Sequence, residues 1–148
     1  MERIEYEREL IVRIFQTSNV LQTYLDRILR EDQLTAKQFF TMIFIGNIGH
    51  DPKISELSEF THTSHQNTKQ VLLKLQKRDY VDIYKDEQDS RVTRVRLTTK
   101  AMQYWQQRSN DDLRTIQSLF HTIQDDDLKA TLQGLKDITT QLLQLQNE

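Results

Sequence analysis

The sequence predicts a mainly α-helical fold with one small β-hairpin, and three observations support that prediction. The chain has 148 residues but only three glycines and one proline, so little in it interrupts a helix. Apolar residues recur at steps of three, four and seven along most of its length, which is the spacing of one helix face. Between about residues 80 and 98 this pattern changes to alternation, which is typical of paired strands. The length fits one domain spanning residues 1–148.

Composition excludes several classes of function. The chain has no cysteine, which removes disulfides, thiolate metal ligands and thiol-based redox sensing. No run approaches the roughly 18 to 20 apolar residues of a membrane span, and the N-terminus is charged, so we expect a cytoplasmic protein that does not enter membranes. The sequence also lacks a phosphate-binding glycine loop, a G-x-S-x-G elbow and an HExxH pair. We therefore expect neither an enzyme nor a cofactor.

The N-terminal region predicts two helices. The first spans residues 4–31, and its apolar stripe consists of Ile4, Ile11, Ile14, Leu21, Leu25 and Ile28. Thr35 stands three residues before Gln38, which is the spacing of a capping box and marks the start of a short, strongly apolar second helix. The glycines and the proline between residues 46 and 52 end that helix.

Two further helices follow, separated by a tight polar turn. The first spans residues 54–61, and the second runs from Ser64, a good N-cap residue, to about Arg78. The segment between them, Thr61–Ser64, consists of turn-forming and cap-forming residues. The buried face of the second helix is predicted to comprise Thr68, Val71, Leu72 and Leu75. Two short helices joined in this way form a helix-turn-helix pattern.

The alternating pattern after residue 80 predicts the hairpin. Its apolar residues, which can share one face, are Val81, Ile83, Val95 and Leu97. The polar segment 86–91 lies between the two runs and forms the tip. A helix-turn-helix followed directly by a β-hairpin is a winged helix-turn-helix, which we predict over residues 35–100.

Two more helices complete the chain. Thr98 or Thr99 can cap the first, whose apolar positions extend to Ile123. The acidic triplet 125–127 favours the start of the second, because negative charge is stabilised at a helix N-terminus. The apolar seam of this last helix comprises Leu128, Leu132, Leu135, Ile138, Leu142 and Leu145.

The two terminal regions, 4–31 and 113–146, are predicted to be dimerisation helices that flank the winged unit. The alternative is that they only complete the core of their own chain. Dimerisation is favoured because the stripes are long and broad, and because a single winged unit would bind DNA weakly and with little selectivity.

The middle of the chain carries the basic charge. Residues 53–100 contain ten lysines and arginines against seven acidic residues, a net charge of +3, whereas the whole chain has −2. The side chains of the helix-turn-helix that we predict to face DNA are Ser64, His65, Gln66, Asn67, Lys69, Gln70 and Lys74. Glutamine and asparagine can form paired hydrogen bonds with adenine, and lysine can donate to guanine or phosphate. An ordinary solvent-exposed helix face is the alternative, but the turn and the wing favour DNA.

Basic residues also crowd the hairpin, at Lys85, Arg91, Arg94 and Arg96, and we expect so narrow an element to leave them exposed. An exposed arginine at a hairpin tip can lie in a DNA minor groove. Asp89 is two residues from Arg91 and can hold its guanidinium in a fixed orientation. A simple surface salt bridge is the alternative for this pair.

The order of elements and three short motifs resemble the MarR family of bacterial transcription regulators. The motifs are Ile54–Ser58 in the first helix of the helix-turn-helix, Ser64–Asp79 in the recognition helix and Asp89–Thr98 in the wing. The wing pattern, D-x-R followed after three residues by V-x-L-T, is the most specific. At Asp79 the family often has glycine, so the turn before the wing requires either a different geometry or a strained backbone.

The resemblance implies a sequence-specific regulator of transcription that binds double-stranded DNA as an obligate homodimer, on a pseudo-palindromic operator. It implies that the recognition helix lines the DNA face, that Arg91 enters the minor groove with Asp89 orienting it, and that Arg94 contacts a phosphate. It further implies a repressor that is released by a small lipophilic or aromatic ligand held between the dimer helices and the winged domain.

Two other functions stay open at this point. The overall acidity is compatible with a protein-interaction adaptor that has kept the winged fold. His62 and His65 are three residues apart and could take part in a metal-responsive regulator if carboxylates came from elsewhere. Because the sequence offers no complete ligand set, we predict no metal site.

Overall fold

The computed structural model describes all residues 1–148 and confirms the predicted fold class. Six α-helices and one antiparallel hairpin make up the chain: α1 (Arg3–Ile28), α2 (Ala36–Ile48), α3 (Ile54–Thr61), α4 (His65–Lys77), β1 (Val81–Lys85), β2 (Thr93–Leu97), α5 (Thr99–Phe120) and α6 (Asp125–Gln146). The chain divides into two compact units, Met1–Tyr104 and Trp105–Glu148, and the single domain over 1–148 stays a prediction. No helix is both long and apolar enough to cross a membrane.

The first helix ends three residues earlier than the sequence pattern predicts. α1 stops at Ile28 because Leu29 turns into the core, where it is only 1% exposed. A short 3-10 turn over Arg30–Asp32 then leads toward α2. The predicted capping box is confirmed, because the Thr35 hydroxyl accepts from the Gln38 N–H at 3.2 Å and the Gln38 side chain accepts from the Thr35 N–H at 3.1 Å.

The helix-turn-helix is confirmed, with α3 and α4 as its two helices. His62 ends α3 in the left-handed conformation, with φ of 56°. Ser64 caps α4, because its side-chain oxygen accepts from the Asn67 N–H at 3.1 Å. The Thr63 and Thr68 hydroxyls are hydrogen bonded at 2.9 Å, which ties the turn to α4. The Ser64 oxygen is thus engaged within the protein.

The core of the first unit lies beneath α4 and draws on every helix of the winged domain and on the hairpin. Its most deeply buried apolar side chains, none more than 1% exposed, are Leu29, Met42, Leu57, Leu72, Leu75, Val81 and Val95. On α4 the predicted buried face is confirmed for Thr68, Leu72 and Leu75, and Val71 is half-buried. Burial of this stripe leaves the opposite face of α4 in solvent.

The turn from α4 into the wing uses a left-handed residue. Asp79 has φ of 63°, so the chain keeps the backbone conformation that glycine adopts more readily. Two side chains that follow β2, one of them in the first turn of α5, hold this turn. The Thr98 hydroxyl donates to the Asp79 carbonyl at 2.6 Å, and Lys100 Nζ donates to the Arg78 carbonyl at 2.7 Å.

The hairpin has the predicted register. Val81 lies opposite Leu97 and Ile83 lies opposite Val95, so that the apolar residues share one face. Val81 and Val95 are fully buried, and the other two are half-buried. One face of the wing is therefore fixed to the core of the first unit, and its tip extends away from that core.

The boundaries of the last two helices follow local hydrogen bonds. The Thr98 hydroxyl accepts from the Ala101 N–H at 3.3 Å, which confirms one of the two predicted caps for α5. The prediction that α5 extends to Ile123 is wrong, because the Ile123 N–H donates to the Phe120 carbonyl in a turn after the helix. Asp125–Asp127 occupy the first turn of α6, as predicted.

Candidate nucleic-acid interface

The residues of Ser64–Lys74 that were predicted to face DNA are all exposed. At about 100° per residue along a helix, Gln66 and Gln70 lie opposite the buried stripe and are the outermost side chains of α4. His65 and Lys69 lie on the flank toward the wing. Asn67 lies on the other flank, where it lines a small hollow beside α2. The structure therefore divides the predicted set into an outer ridge and two flanks.

A groove of about 650 Å³ separates α4 from the wing. Its apolar lining residues include Leu73 of α4 together with Ile83 and Val92 of the hairpin. Its basic lining residues are Lys53, His65, Lys69, Lys85 and Arg91. No aspartate or glutamate lines it. A chain with a net charge of −2 thus has one strongly basic groove, next to its exposed recognition helix, where a polyanion would be attracted.

The wing tip presents Arg91 in a fixed orientation. Its Nε and Nη2 atoms donate to the two carboxylate oxygens of Asp89, each at 3.0 Å, and its backbone N–H donates to the same carboxylate at 3.1 Å. The hydrogen bond with Arg91 lowers the pKa of Asp89 and raises the pKa of the guanidinium, so both groups are charged at neutral pH. The Arg91 side chain is nevertheless 89% exposed. The pairing predicted for Asp89 is present, and the role of Arg91 in the minor groove stays a prediction.

The expectation that the narrow hairpin leaves all its basic side chains exposed is wrong for Arg94. Its side chain is only 26% exposed, because Nε donates to Asp86 Oδ1 at 2.6 Å and Nη1 donates to the Asp51 carbonyl at 2.9 Å. The hydrogen bond from Arg94 also holds the pKa of Asp86 below its ordinary value. Arg94 therefore connects the wing to the α2–α3 turn through Nε and Nη1, and its contact with a DNA phosphate stays a prediction.

A second contact joins the same two segments. The Tyr84 hydroxyl of β1 donates to the Asp51 carboxylate, and this hydrogen bond raises the pKa of Tyr84. Together, Asp51, Tyr84, Asp86 and Arg94 form a set that we call the wing brace. Nearby, His50 Nε2 lies 2.9 Å from Glu56 Oε1, and this contact lowers the pKa of Glu56. The brace joins the wing to the α2–α3 turn through Asp51.

Lys53 is the basic groove residue that sequence reasoning missed. Its backbone forms an isolated antiparallel bridge with Arg94 of β2, which places it against the wing although the two residues are far apart in the sequence. No periodic pattern includes Lys53, and its one local signal is that it stands directly before the motif Ile54–Ser58. The wing brace was missed for the same reason, since its contacts join segments distant along the chain.

The histidines do not assemble a metal centre. No group of three or more histidine, cysteine, aspartate or glutamate side chains lies close enough to hold a metal ion. His62 forms the left-handed end of α3, and His65 lies in the basic groove.

Comparison with known proteins identifies the family. A family model described as the transcriptional regulator SarA/Rot matches residues 23–108. This chain belongs to that family. The matched segment contains the whole helix-turn-helix and the wing. The chain is thus a transcriptional regulator of the MarR-like winged-helix type, and the prediction that it is not an enzyme agrees with this assignment.

Solved structures with the same fold confirm the resemblance to MarR proteins. A MarR protein from Peptoclostridium difficile is 20% identical, with a TM-score of 0.80 over 90% of this chain and 86% of its own. A mutant MarR from E. coli, complexed with operator DNA, is 19% identical, with a TM-score of 0.79 over 93% and 99%. An organohalide-sensing regulator bound to 2,4-dichlorophenol is 17% identical, with a TM-score of 0.83 over 98% and 88%. A search of curated protein sequences found no match.

Proposed function

We propose that this member of the SarA/Rot family is a sequence-specific regulator that binds double-stranded DNA as a homodimer in the cytoplasm. The observation that carries the proposal is the basic groove beside the exposed ridge of α4. An α-helix fits the major groove of B-DNA, and a wing tip with a charged arginine fits the adjacent minor groove. The E. coli MarR structure with operator DNA gives a precedent for this fold on a duplex.

Within this proposal, the two flanks and the ridge of α4 have different roles. Gln66 and Gln70 on the ridge read base edges, because a side-chain amide can donate to and accept from adenine at once. Lys69 and Arg91 supply charge to the phosphates and the minor groove, which fixes the register of the protein without reading sequence. Asn67 sits on the flank beside α2 and contributes only if the helix is tilted toward that side.

The homodimer is supported by large apolar side chains that neither unit buries. On α1, Phe15 is 70% exposed and Ile11 is 71% exposed. On α6, Leu132 and Leu142 are each 55% exposed. Contiguous exposed apolar surface of this kind marks an interface, since burying it yields roughly 25 cal/mol for each Å². A second copy provides a matching surface through a two-fold axis and also supplies the second DNA-binding unit.

We also propose that the regulator is a repressor and that a small lipophilic or aromatic ligand releases it from DNA. A hollow of about 200 Å³ between α1 and α2 supports this proposal. Leu21, Leu25 and Phe40 line it together with Lys37, which suits an aromatic compound with an anionic group. The dichlorophenol bound to the organohalide-sensing regulator shows that one protein of this fold takes such a compound.

Selection from a random duplex pool tests the proposed function without knowledge of the operator. The purified chain should enrich a two-part, near-palindromic motif, and its affinity for the selected duplex should fall steeply as salt rises. A protein-interaction adaptor would enrich no motif and would pass through DNA-cellulose without salt-dependent retention. Either of those results would overturn the proposal.

A further inference from the structure

The lysines of the groove and the arginines of the hairpin differ in whether they form an ion pair with a carboxylate. Arg91, Arg94 and Arg96 each form an ion pair with an aspartate. The groove lysines, Lys53, Lys69 and Lys85, lie within 4.0 Å of no carboxylate oxygen. Each wing arginine thus has an ion-pair partner, whereas the three groove lysines have none, and the Asp89 carboxylate acts on Lys53 only at longer range.

We infer that this groove holds one sugar–phosphate backbone of the duplex, with Lys53 and Lys85 binding its phosphates from the wing side and Lys69 from the helix side. The inference rests on the proposed function and adds two contact residues to it. When a helix lies in the major groove and a wing tip in the neighbouring minor groove, the strand between the two grooves must pass over the surface that separates helix from wing. In this chain that surface is the groove.

The backbone geometry keeps Lys53 in place before any DNA arrives. Its carbonyl accepts from the Leu57 N–H at 3.0 Å, which starts α3, and its bridge to Arg94 fixes it to β2. The carbonyl of the preceding residue, Pro52, accepts from the Val95 N–H at 3.0 Å. A lysine on so constrained a backbone loses only side-chain freedom on binding, which reduces the entropic cost of the contact.

Lys85 stands on the same wall at the end of β1. It is paired across the hairpin with Thr93, and its Nζ donates to the Thr93 hydroxyl at 3.1 Å. This single neutral partner leaves the ammonium charge uncompensated and two of its three N–H bonds free for phosphate oxygens. The apolar lining residues Leu73 and Val92 suit the deoxyribose edge of a strand better than its phosphates, so the phosphates would lie beside the lysines.

Salt titration of charge-removing variants tests the inference directly. The variants are Lys53→Gln and Lys85→Gln, and Lys129→Gln on α6 is the control, because it removes the same charge outside the groove. Affinity is measured by fluorescence anisotropy between 50 and 200 mM salt, on the selected duplex and on a scrambled one. Each lost phosphate contact lowers the slope of log K against log[salt] by about 0.9.

A dimer has two copies of each lysine, so the magnitude of the slope of log K against log[salt] should fall by about 1.8 in each variant. The ratio of wild-type affinity to variant affinity should therefore shrink about twelvefold as salt rises from 50 to 200 mM. The factor should be the same for both duplexes, because phosphates carry no sequence. Lys53→Arg should restore most of the lost slope, whereas Lys129→Gln should leave it at the wild-type value. Circular dichroism confirms that each variant is folded.

A second test replaces single phosphates of the duplex with neutral methylphosphonates. It distinguishes a phosphate contact of Lys53 from a structural role of that residue. In duplexes with one methylphosphonate at successive positions, one of the substitutions that weaken wild type should have little further effect on Lys53→Gln, since the same contact is already absent. If Lys53→Gln and Lys85→Gln keep the slope of Lys129→Gln while wild type binds with normal salt dependence, the inference is overturned and the proposed function stands. If wild type shows no salt-dependent binding, the proposed function itself has failed.

Discussion

Three arginines of the wing carry the same charge but differ in what they contact. Arg91 is 89% exposed and its fork-like pairing with Asp89 fixes its direction. Arg94 is enclosed by protein acceptors, and Arg96 lies 4.9 Å from the centre of the Tyr84 ring. Arg91 is the most exposed of the three, and it is held by two side-chain hydrogen bonds to one carboxylate. Residue type and position in the hairpin alone did not distinguish these environments.

Asp89→Asn tests whether orientation matters separately from charge. The variant keeps the positive charge of Arg91 but removes the carboxylate that holds its fork. We expect the preference for flanks with a narrow, A·T-rich minor groove to decrease, because a guanidinium must be extended to enter such a groove. Anisotropy titrations with duplexes that have A-tract or G·C-rich flanks measure this preference. An unchanged flank preference would show that Asp89 forms only a surface salt bridge.

Gln66→Ala tests the ridge of α4. The variant should lose discrimination at one base pair by about 1–3 kcal/mol, the range for a good two-bond contact to a base. Competition titrations against duplexes with single base-pair changes measure this loss. Lys69→Ala is the control and should weaken binding to all these duplexes equally, because it removes a phosphate contact. If Gln66→Ala keeps the full discrimination, α4 reads DNA through other residues.

At the scale of the element, some of the features that position the wing are recognisable in the sequence and others are not. Its register follows from the alternation of Val81, Ile83, Val95 and Leu97, and that register is confirmed. The turn at Asp79 was recognisable because an aspartate stands where glycine is common. The wing brace was not, since Asp51 and Arg94 become neighbours only when the α2–α3 turn packs against β2. Periodicity reports local geometry, and contacts between distant segments leave no periodic trace.

Two substitutions of Asp79 should change the free energy of unfolding in opposite directions. Asp79→Gly removes the unfavourable contacts of Cβ at φ of 63° and should raise the free energy of unfolding, by up to about 1 kcal/mol. Asp79→Ala keeps Cβ, and alanine adopts the left-handed conformation less readily than aspartate, so it should lower that free energy. Urea unfolding followed by circular dichroism measures both variants. A lower stability for Asp79→Gly would contradict a strained turn.

The wing brace should make stability depend on acid. The pKa of Asp86 in the folded chain lies below its ordinary value of 3.8, so the stabilisation by its ion pair is present above that value and is lost as pH falls through the folded-state pKa. Asp86→Asn removes the pair at every pH. We expect wild type to be more stable than Asp86→Asn at pH 7, and the difference to decrease as the solution is acidified below about pH 4. A constant difference across this range would exclude the ion pair as its source.

At the scale of the whole molecule, one chain offers a single recognition helix and a single wing, yet it leaves the apolar stripes of its first and last helices exposed. The family assignment explains the winged region, which is the segment that the family model matches. The exposed stripes outside that segment support the proposed homodimer. Two copies related by a two-fold axis would bring two winged units to half-sites about one helical turn, or 34 Å, apart.

Phe15→Glu tests this arrangement. The Phe15 side chain is 70% exposed in one chain, so a charge at this position should cost little in a monomer but much in a dimer, where it would be buried unpaired. Gln16→Glu is the matched control, because it adds the same charge one residue further along α1, about 100° away from Phe15 around the helix axis. Light scattering should report a dimer for wild type and Gln16→Glu and a monomer for Phe15→Glu. The monomer should also lose most of its affinity for the selected duplex, because each chain would then contact a single half-site. A dimeric Phe15→Glu variant would place the interface elsewhere on the chain.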